Sequence, residues 1–181
     1  LINKIGIALG QEALDKDVDV LLGPTINLHR HPLGGRHFEN FSEDPVLTGE
    51  IAVAYVKGVQ SKKVSACLKH FVANDTEFER HTVSSNLDER TLREIYLLPF
   101  EMGVKKAKAK SVMSAYNKLN NIYCSSNKDL LIDILKKEWG FDGYVVSDWG
   151  AALETVDNAI GGLDMEMPCL LYTSPSPRDV P

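Results

Sequence analysis

The stretch GYVVSDWGA, residues 143–151, joins an apolar run to two side chains that can do chemistry. Residues 144–146 are typical of a buried β-strand, because β-branched and aromatic residues pack well on a pleated surface. Asp148 and Trp149 follow this run directly. The carboxylate has two interpretations: it caps a helix predicted over AALETVDNAI, or it is a catalytic group at the end of the strand.

Three more predicted strands end in groups that can form hydrogen bonds or carry charge. These groups are Asn27, His29 and Arg30, then Lys69 and His70, then Tyr116 and Asn117. The carboxyl ends of parallel strands meet at one edge of a sheet, so we expect these groups to share a polar pocket with Asp148. A helix cap does not account for such a set.

Three chemistries fit a pocket of this composition. Lys69 is a candidate Schiff-base lysine, although such a lysine needs an apolar setting and its neighbours are polar. His29, His31 and His37 are candidate metal ligands, although they lie in an irregular loop without carboxylates spaced on the same elements. The third chemistry is that of sugars, in which Asp148 is a nucleophile and the other groups bind hydroxyls.

Strands and helices alternate along the chain. Strands are predicted at DVDVLLGP, 63–71, 111–117 and 143–149, with helices over the N-terminal residues, 45–60, 88–108 with a kink or break at Pro99, 126–140 and up to about 160. This order predicts an α/β fold with a parallel sheet, which is half of a (β/α)8 barrel or most of a doubly wound sheet. The sequence has no glycine-rich nucleotide-binding motif after a strand.

The amino-acid composition limits the kinds of partner that the protein is expected to bind. The 181 residues are 44% hydrophobic and 25% charged, as in soluble globular proteins, and the net charge is -5 at pH 7. This charge argues against nucleic acid and anionic membranes, which select basic surfaces. No apolar run is long enough to span a bilayer, and Cys67, Cys124 and Cys169 form neither a disulfide framework nor a spaced metal site.

Three segments carry a family resemblance in a fixed order: GPTINLHRHPLGGRHFENFSEDP, ACLKHFVANDTEFER and GYVVSDWGA. Together they resemble the N-terminal catalytic domain of glycoside hydrolase family 3, which contains β-glucosidases and β-xylosidases. The resemblance implies that residues 1–168 are a fragment of that domain. Its fold would be a partial (β/α)8 TIM-like barrel of about four βα units, truncated at both ends.

The resemblance also implies a role for individual residues. Asp148, in the S-D-W motif, would be the catalytic nucleophile. The family's substrate-binding positions match Arg36, Lys69, His70, Arg80, Met113, Tyr116 and Trp149. Trp149 would form a wall of the subsite for the non-reducing sugar, and the other residues would hold its hydroxyl groups.

The residues alone leave other roles open for some members of this set. Arg36 could pair only with Glu39 or Glu43 in its own loop, which would be a surface contact of little consequence. Met113 and Tyr116 could simply pack in the core.

Two requirements follow for the strand ends. Lys69 and His70 are adjacent and would face opposite sides of a regular strand, so the strand has to become irregular if both are to reach one sugar. Asp148 has to be ionised at neutral pH, which the ordinary aspartate pKa of about 4 provides.

The implied activity is that of a retaining, exo-acting β-glucosidase, with a β-xylosidase of the same family or a non-catalytic sugar-binding barrel as alternatives. The run KHFVANDTEFERH lacks the P-G-H-G of the family's N-acetylglucosaminidase branch. The β-glucosidase-like branch takes its acid/base Glu from an α/β sandwich domain later in the chain. Its substrates are β-linked oligosaccharides or aryl and alkyl glycosides, and no metal, organic cofactor, nucleic acid or membrane partner is implied.

Both ends of the chain carry expectations of their own. The sequence opens within a predicted helix without an initiator Met, so the presence of a leader peptide stays open. The family's D-G-P-x-G-x-R segment and its sandwich domain are not in these 181 residues, which we therefore expect to be inactive alone. Residues 169–181, CLLYTSPSPRDVP, back-translate to a sequencing-library adapter, which predicts a non-native tail.

Overall fold

A computed structural model describes residues 1–168, so the predicted non-native tail lies outside the described residues. The α-helices are α1 (Ile2–Leu14), α2 (Pro45–Gln60), α3 (Glu89–Thr91), α4 (Leu98–Ala107) and α5 (Thr155–Gly161). Leu92–Tyr96 and Asp129–Glu138 are π-helical, and His37–Glu39 and Cys124–Ser126 form 3-10 turns. The strands are β1 (Val20–Leu21), β2 (Ser65–Phe71), β3 (Ser84–Ser85), β4 (Ser111–Ser114), β5 (Lys118–Leu119), β6 (Ile122–Tyr123) and β7 (Tyr144–Ser147).

Four strands form one parallel sheet in the order β1-β2-β4-β7. Beyond β7, Met165 makes a further parallel bridge to Val146. The strand order follows the chain without reversing, whereas a doubly wound sheet reverses at a switch point. The structure therefore selects the barrel from the two predicted architectures: the chain forms part of a (β/α)8 barrel.

The two faces of the sheet pack differently. On the helix side, the Phe71 ring at the end of β2 lies 5.0 Å from that of Phe100 in α4 and 5.9 Å from that of Trp139. The opposite face carries a small apolar cluster of Cys67, Met113 and Val146. Side chains alternate along a strand, so one set packs against the helices and holds the sheet in place. The other set lies on the inner face, below the polar residues at the strand ends.

The carboxyl end of β2 is irregular, as required for both of its last polar residues to reach one site. The pairing with β4 shifts register between Leu68 and Phe71, and Thr25 forms an isolated parallel bridge to Lys69. The strict alternation of side chains is interrupted over Lys69 and His70. Both residues can therefore contact the same cluster.

The helical stretch before β4 is divided near Pro99, as predicted. A π-helical segment ends at Tyr96, and α4 begins at Leu98 with Pro99 in its first turn. Proline is tolerated there because the first N–H groups of a helix have no partner within it. None of the helices in residues 1–168 is long and apolar enough to cross a membrane.

Three details differ from the sequence-based expectations. The first strand is only two residues long, and β3, β5 and β6 form a separate small sheet that was not predicted. The last helix begins at Thr155 rather than near Ala151. The backbone of Glu154 accounts for this start, because its φ of -132° and ψ of 102° are extended and the helix can begin only after it.

Candidate active site

Asp148 lies directly after β7, at the carboxyl edge of the parallel sheet. Its backbone N–H donates to the Ser114 carbonyl at 3.2 Å, and its Oδ1 accepts from the Trp149 N–H at 2.8 Å. The next helix starts at Thr155 and has Glu154 as its N-cap residue. The helix-cap interpretation is therefore wrong, and the carboxylate belongs to the sheet edge.

The other carboxylate oxygen of Asp148, Oδ2, is buried and accepts no hydrogen bond from any residue in 1–168. Burial raises the pKa of Asp148, while the Trp149 N–H, the nearby Tyr116 hydroxyl and the charges of Arg36 and Lys69 oppose the rise. The sequence predicts an ordinary pKa and misses this burial. A buried oxygen without a donor is costly, which makes Oδ2 a candidate contact for a ligand.

His70 is buried next to Asp148, with Nε2 3.4 Å from Oδ2. Arg36 Nη2 lies 3.0 Å from the same Nε2. A guanidinium only donates, so Nε2 accepts and carries no proton. Burial and the charges of Arg36, Lys69 and Arg80 lower the pKa of His70 well below its ordinary value. His70 is a neutral hydrogen-bond acceptor at this site.

Glu39 joins two of the predicted sugar-binding cations. Its Oε1 accepts from Arg36 Nε at 2.6 Å, and its Oε2 accepts from the Thr25 hydroxyl at 2.6 Å and lies 3.7 Å from Lys69 Nζ. Burial alone would raise the pKa of Glu39, but these hydrogen bonds and charges outweigh it and lower the pKa. Arg36 thus forms the ion pair within its loop and also reaches His70.

Arg80 and Tyr116 form a second group of contacts. Arg80 Cζ lies 4.3 Å from the centroid of the Tyr116 ring, and Arg80 Nη1 donates to Glu77 Oε2 at 2.5 Å. The Tyr116 hydroxyl donates to the Trp149 carbonyl at 3.0 Å. Burial, and then the negative charge of Asp148, raise the pKa of Tyr116. The Trp149 side of Asp148 is therefore lined by a cation and an aromatic ring.

Trp149 and Met113 have contrasting environments. Trp149 is 44% exposed, so one part of its ring is open to a ligand. Met113 is buried in the apolar cluster with Cys67 and Val146, on the inner face of the sheet. The contact network around Asp148 contains the predicted residues Arg36, Lys69, His70, Arg80, Tyr116 and Trp149. Met113 lies in the layer beneath that network.

The Schiff-base and metal-ion chemistries fit the geometry of the site poorly. Lys69 lies near the carboxylate of Glu39, which is the opposite of the apolar setting that a Schiff-base lysine needs. His29 turns its Nε2 to the His37 carbonyl at 3.1 Å, and the two imidazole rings lie 4.6 Å apart. Within residues 1–168, no group of three or more His, Cys, Asp or Glu side chains is arranged to hold a metal ion.

Sequence reasoning missed the function of two glutamates. Glu39 bridges Arg36 and Lys69, and Glu77 lies against Arg80 and within 4.0 Å of Arg36. A signal was present, because each glutamate is three residues from its arginine. The same spacing also occurs in exposed ion pairs, so spacing alone did not indicate that these carboxylates orient the site.

Comparison with known proteins gives relatives of high similarity. A β-glucosidase of Rhizobium radiobacter is 58% identical over 168 residues, which are 93% of this chain and 20% of the relative. The thermostable β-glucosidase B of Acetivibrio thermocellus is 56% identical over 168 residues, 93% of this chain and 22% of the relative. The chain thus spans about a fifth of the length of the curated relatives it matches.

Solved structures agree with the fold. β-Glucosidase 3B from Thermotoga neapolitana in complex with α-D-glucose superposes with a TM-score of 0.91 at 54% identity, covering 92% of this chain and 23% of that one. The Bifidobacterium adolescentis GH3 β-glucosidase gives a TM-score of 0.92 at 48% identity, covering 95% of this chain and 25% of that one. The residue pattern of the glycosyl hydrolase family 3 N-terminal domain matches residues 1–169. With that match over nearly its whole length, the chain belongs to glycosyl hydrolase family 3.

Proposed function

We propose that the complete protein is a retaining, exo-acting β-glucosidase with Asp148 as its nucleophile. The observation that carries the proposal is the Oδ2 atom of Asp148, a buried carboxylate oxygen to which no described residue donates. The relatives reported above are named β-glucosidases, and one of the solved structures was obtained with α-D-glucose. These names support glucose as the sugar on the non-reducing side.

The reaction takes two displacements. Asp148 Oδ2 attacks the anomeric carbon, and the bond from that carbon to the leaving oxygen breaks as the carboxylate–sugar bond forms. The leaving oxygen takes a proton from a general acid. Water then attacks the same carbon, gives its proton to that group acting as base, and frees both the carboxylate and a sugar of retained configuration. The scheme uses no metal or organic cofactor.

The residues around Asp148 supply donors and acceptors for sugar hydroxyls. Arg36, Lys69 and Arg80 only donate, and their carboxylate partners keep them oriented. His70 lies deep in the site, where its Nε2 accepts from Arg36 and so helps to orient that guanidinium. The half-exposed indole of Trp149 presents an apolar surface on which a pyranose ring can lie.

We expect the general acid to come from outside these 168 residues. Glu39 is held by Thr25, Arg36 and Lys69, and its pKa is lowered, whereas a general acid needs a raised pKa. Glu77 is engaged by Arg80. We expect the acid/base Glu in an α/β sandwich domain of the complete polypeptide. This chain covers about a fifth of the length of its relatives, which leaves room for such a domain.

The test uses protein expressed from the complete gene. We expect faster turnover of 4-nitrophenyl β-glucoside than of the β-xyloside, and NMR of the first product should show the β-anomer. Asp148→Asn should lower kcat by several orders of magnitude, because an amide cannot form the covalent intermediate. Asp75→Asn is the matched control, since it also replaces a partly buried carboxylate with a raised pKa.

Each opposite result overturns one part of the proposal. Preference for the xyloside would make the protein a β-xylosidase, and an α-anomer as first product would exclude retention. Sugar binding without any hydrolysis would indicate a non-catalytic barrel. Ordinary turnover by Asp148→Asn would exclude Asp148 as the nucleophile.

A further inference from the structure

Asn27 makes all of its side-chain hydrogen bonds with one residue, His70, as far as residues 1–168 show. Its Nδ2 donates to the His70 carbonyl at 2.9 Å, and its Oδ1 accepts from the His70 backbone N–H at 2.9 Å. The same Oδ1 lies 3.3 Å from Nδ1 of the His70 ring. Asn27 and His70 are 3% and 1% exposed, so solvent does not compete for these contacts.

The backbone contacts fix which way the Asn27 amide points. An amide nitrogen can only donate, and a backbone N–H cannot accept, so the pairing with the carbonyl and the N–H of His70 admits one orientation. In that orientation Oδ1, an acceptor, faces the imidazole Nδ1. The main-chain contacts therefore determine which end of the Asn27 amide is oxygen and which is nitrogen.

The two nitrogens of His70 consequently have opposite roles. Nδ1 faces an acceptor on Asn27 and has to carry a proton to form a hydrogen bond. Nε2 faces the guanidinium of Arg36, which only donates, and has to be unprotonated. Both neighbours select the same neutral tautomer.

We propose that Asn27 is a positioning residue that holds His70 as the Nδ1-protonated tautomer and so keeps a proton off Nε2. The consequence falls on Asp148, whose Oδ2 lies 3.4 Å from that Nε2. A proton on Nε2 would be shared with Oδ2 and would tie up the electron pair that attacks the anomeric carbon. This inference rests on the proposed function, because it assigns a purpose to the unpartnered oxygen of the nucleophile.

The charges around His70 support the neutral form. Arg36 contacts its Nε2, and Lys69 and Arg80 add positive charge; together with burial they lower the pKa of His70. Asp148 is the one carboxylate in direct ion-pair range of His70 among residues 1–168. Asn27, being an uncharged acceptor, orients the ring without adding a negative charge that would stabilise the imidazolium.

The first experiment determines the His70 tautomer in the wild-type protein. Protein expressed from the complete gene is labelled with 15N-histidine, and the His70 signals are assigned by their loss in His70→Gln. We expect a protonated Nδ1 and an unprotonated Nε2 from pH 5 to pH 8. A proton on Nε2, or a mixture of both tautomers, would overturn the inference.

The second experiment exchanges the amide for a carboxylate of the same shape. Asn27→Asp places a negative charge opposite Nδ1, so the imidazolium should form at higher pH. We expect the 15N signals of His70 to titrate at a pH at least about one unit higher than in wild type, and the acidic limb of kcat/KM to move up with them. Activity should recover above the shifted limb, because neutral His70 regains the same tautomer.

A matched control separates this effect from general damage. Asn127→Asp changes another buried asparagine, which lies just before the π-helical segment and whose Oδ1 accepts from the Leu130 N–H at 3.1 Å. It should leave the acidic limb in place. An unmoved His70 titration in Asn27→Asp, with Asp148 still labelled by a mechanism-based glycoside, would overturn the positioning role alone. Labelling at another residue would instead overturn the proposed function.

Discussion

Nε2 of His70 lies 3.4 Å from Oδ2 of Asp148, yet no hydrogen bond joins the two atoms. Nε2 is occupied as an acceptor by Arg36, and Oδ2 has no donor among the described residues. The pair therefore consists of a neutral imidazole and a buried carboxylate rather than an ion pair. Burial shifts the two pKa values in opposite directions, raising that of Asp148 and lowering that of His70. Both shifts make the stability of the fold depend on pH.

Asp148→Asn should stabilise the complete protein at neutral pH. A raised pKa in the folded state means that folding favours the protonated carboxyl. This contribution is fully present below the unfolded pKa of about 4 and is lost as pH rises through the folded pKa. The amide carries no charge, so folding no longer has to bury an ionised carboxylate at this position. We expect a higher Tm than wild type at pH 7 and a smaller difference near pH 4, measured by thermal unfolding.

The Tm and activity of this variant also distinguish a catalytic role of the Asp148 carboxylate from a structural one. Loss of activity together with a Tm at or above that of wild type would show that the site is built for chemistry at the expense of stability. A Tm clearly below wild type at pH 7 would contradict the direction of the pKa shift.

His70→Gln should make the fold less sensitive to acid. The pKa of His70 is lowered in the folded state, so its contribution to stability is present above the unfolded pKa of about 6.5. That contribution is lost as pH falls from there toward the folded pKa. One such group adds a slope of up to about 1.4 kcal/mol per pH unit to the free energy of unfolding. Denaturant unfolding between pH 5 and 7 should show a shallower slope for the variant, whereas an unchanged slope would mean that His70 does not titrate on unfolding.

The sequence sufficed for the main features of this site. Each strand end carries chemistry-bearing groups, and the order of strands and helices implies one parallel sheet, so Asp148, Lys69 and Tyr116 could be expected at a common edge. The need for an irregular end of β2 also followed, since adjacent residues of a regular strand face opposite ways.

Other features depend on tertiary contacts that no local pattern encodes. The burial that raises the pKa of Asp148 comes from the packing of distant segments, and the late start of α5 depends on the extended backbone of Glu154. The bridging role of Glu39 requires that its loop fold over the ends of β1 and β2, where Thr25 and Lys69 lie. The placement of Met113 was left open between core and site, and the structure puts it in the apolar layer.

Glu39→Gln should weaken the binding of glycosides without unfolding the protein. The amide keeps the size of the side chain but loses the charge that orients Arg36 and Lys69. Hydrogen bonds to charged groups contribute about 1.5–3 kcal/mol, so kcat/KM for an aryl β-glucoside should fall about 10- to 100-fold. Steady-state kinetics of the complete protein measure this change.

Glu50→Gln is the control for that variant. Glu50 also accepts from a lysine, Lys106 at 2.7 Å, but both side chains are more than half exposed. Exposed ion pairs contribute little, so this variant should keep wild-type kinetics. Equal effects of the two substitutions would show that Glu39 has no particular part in the site.

The most direct measurement for the role of Asp148 is covalent labelling of the complete protein with a 2-fluoro β-glucoside. Such a glycoside forms the sugar–enzyme bond readily and releases it slowly, so the modified peptide can be identified by mass spectrometry. The account predicts a label on Asp148 within VVSDWGA and none in Asp148→Asn. A label on any other residue, or continued labelling of the Asn variant, would contradict it.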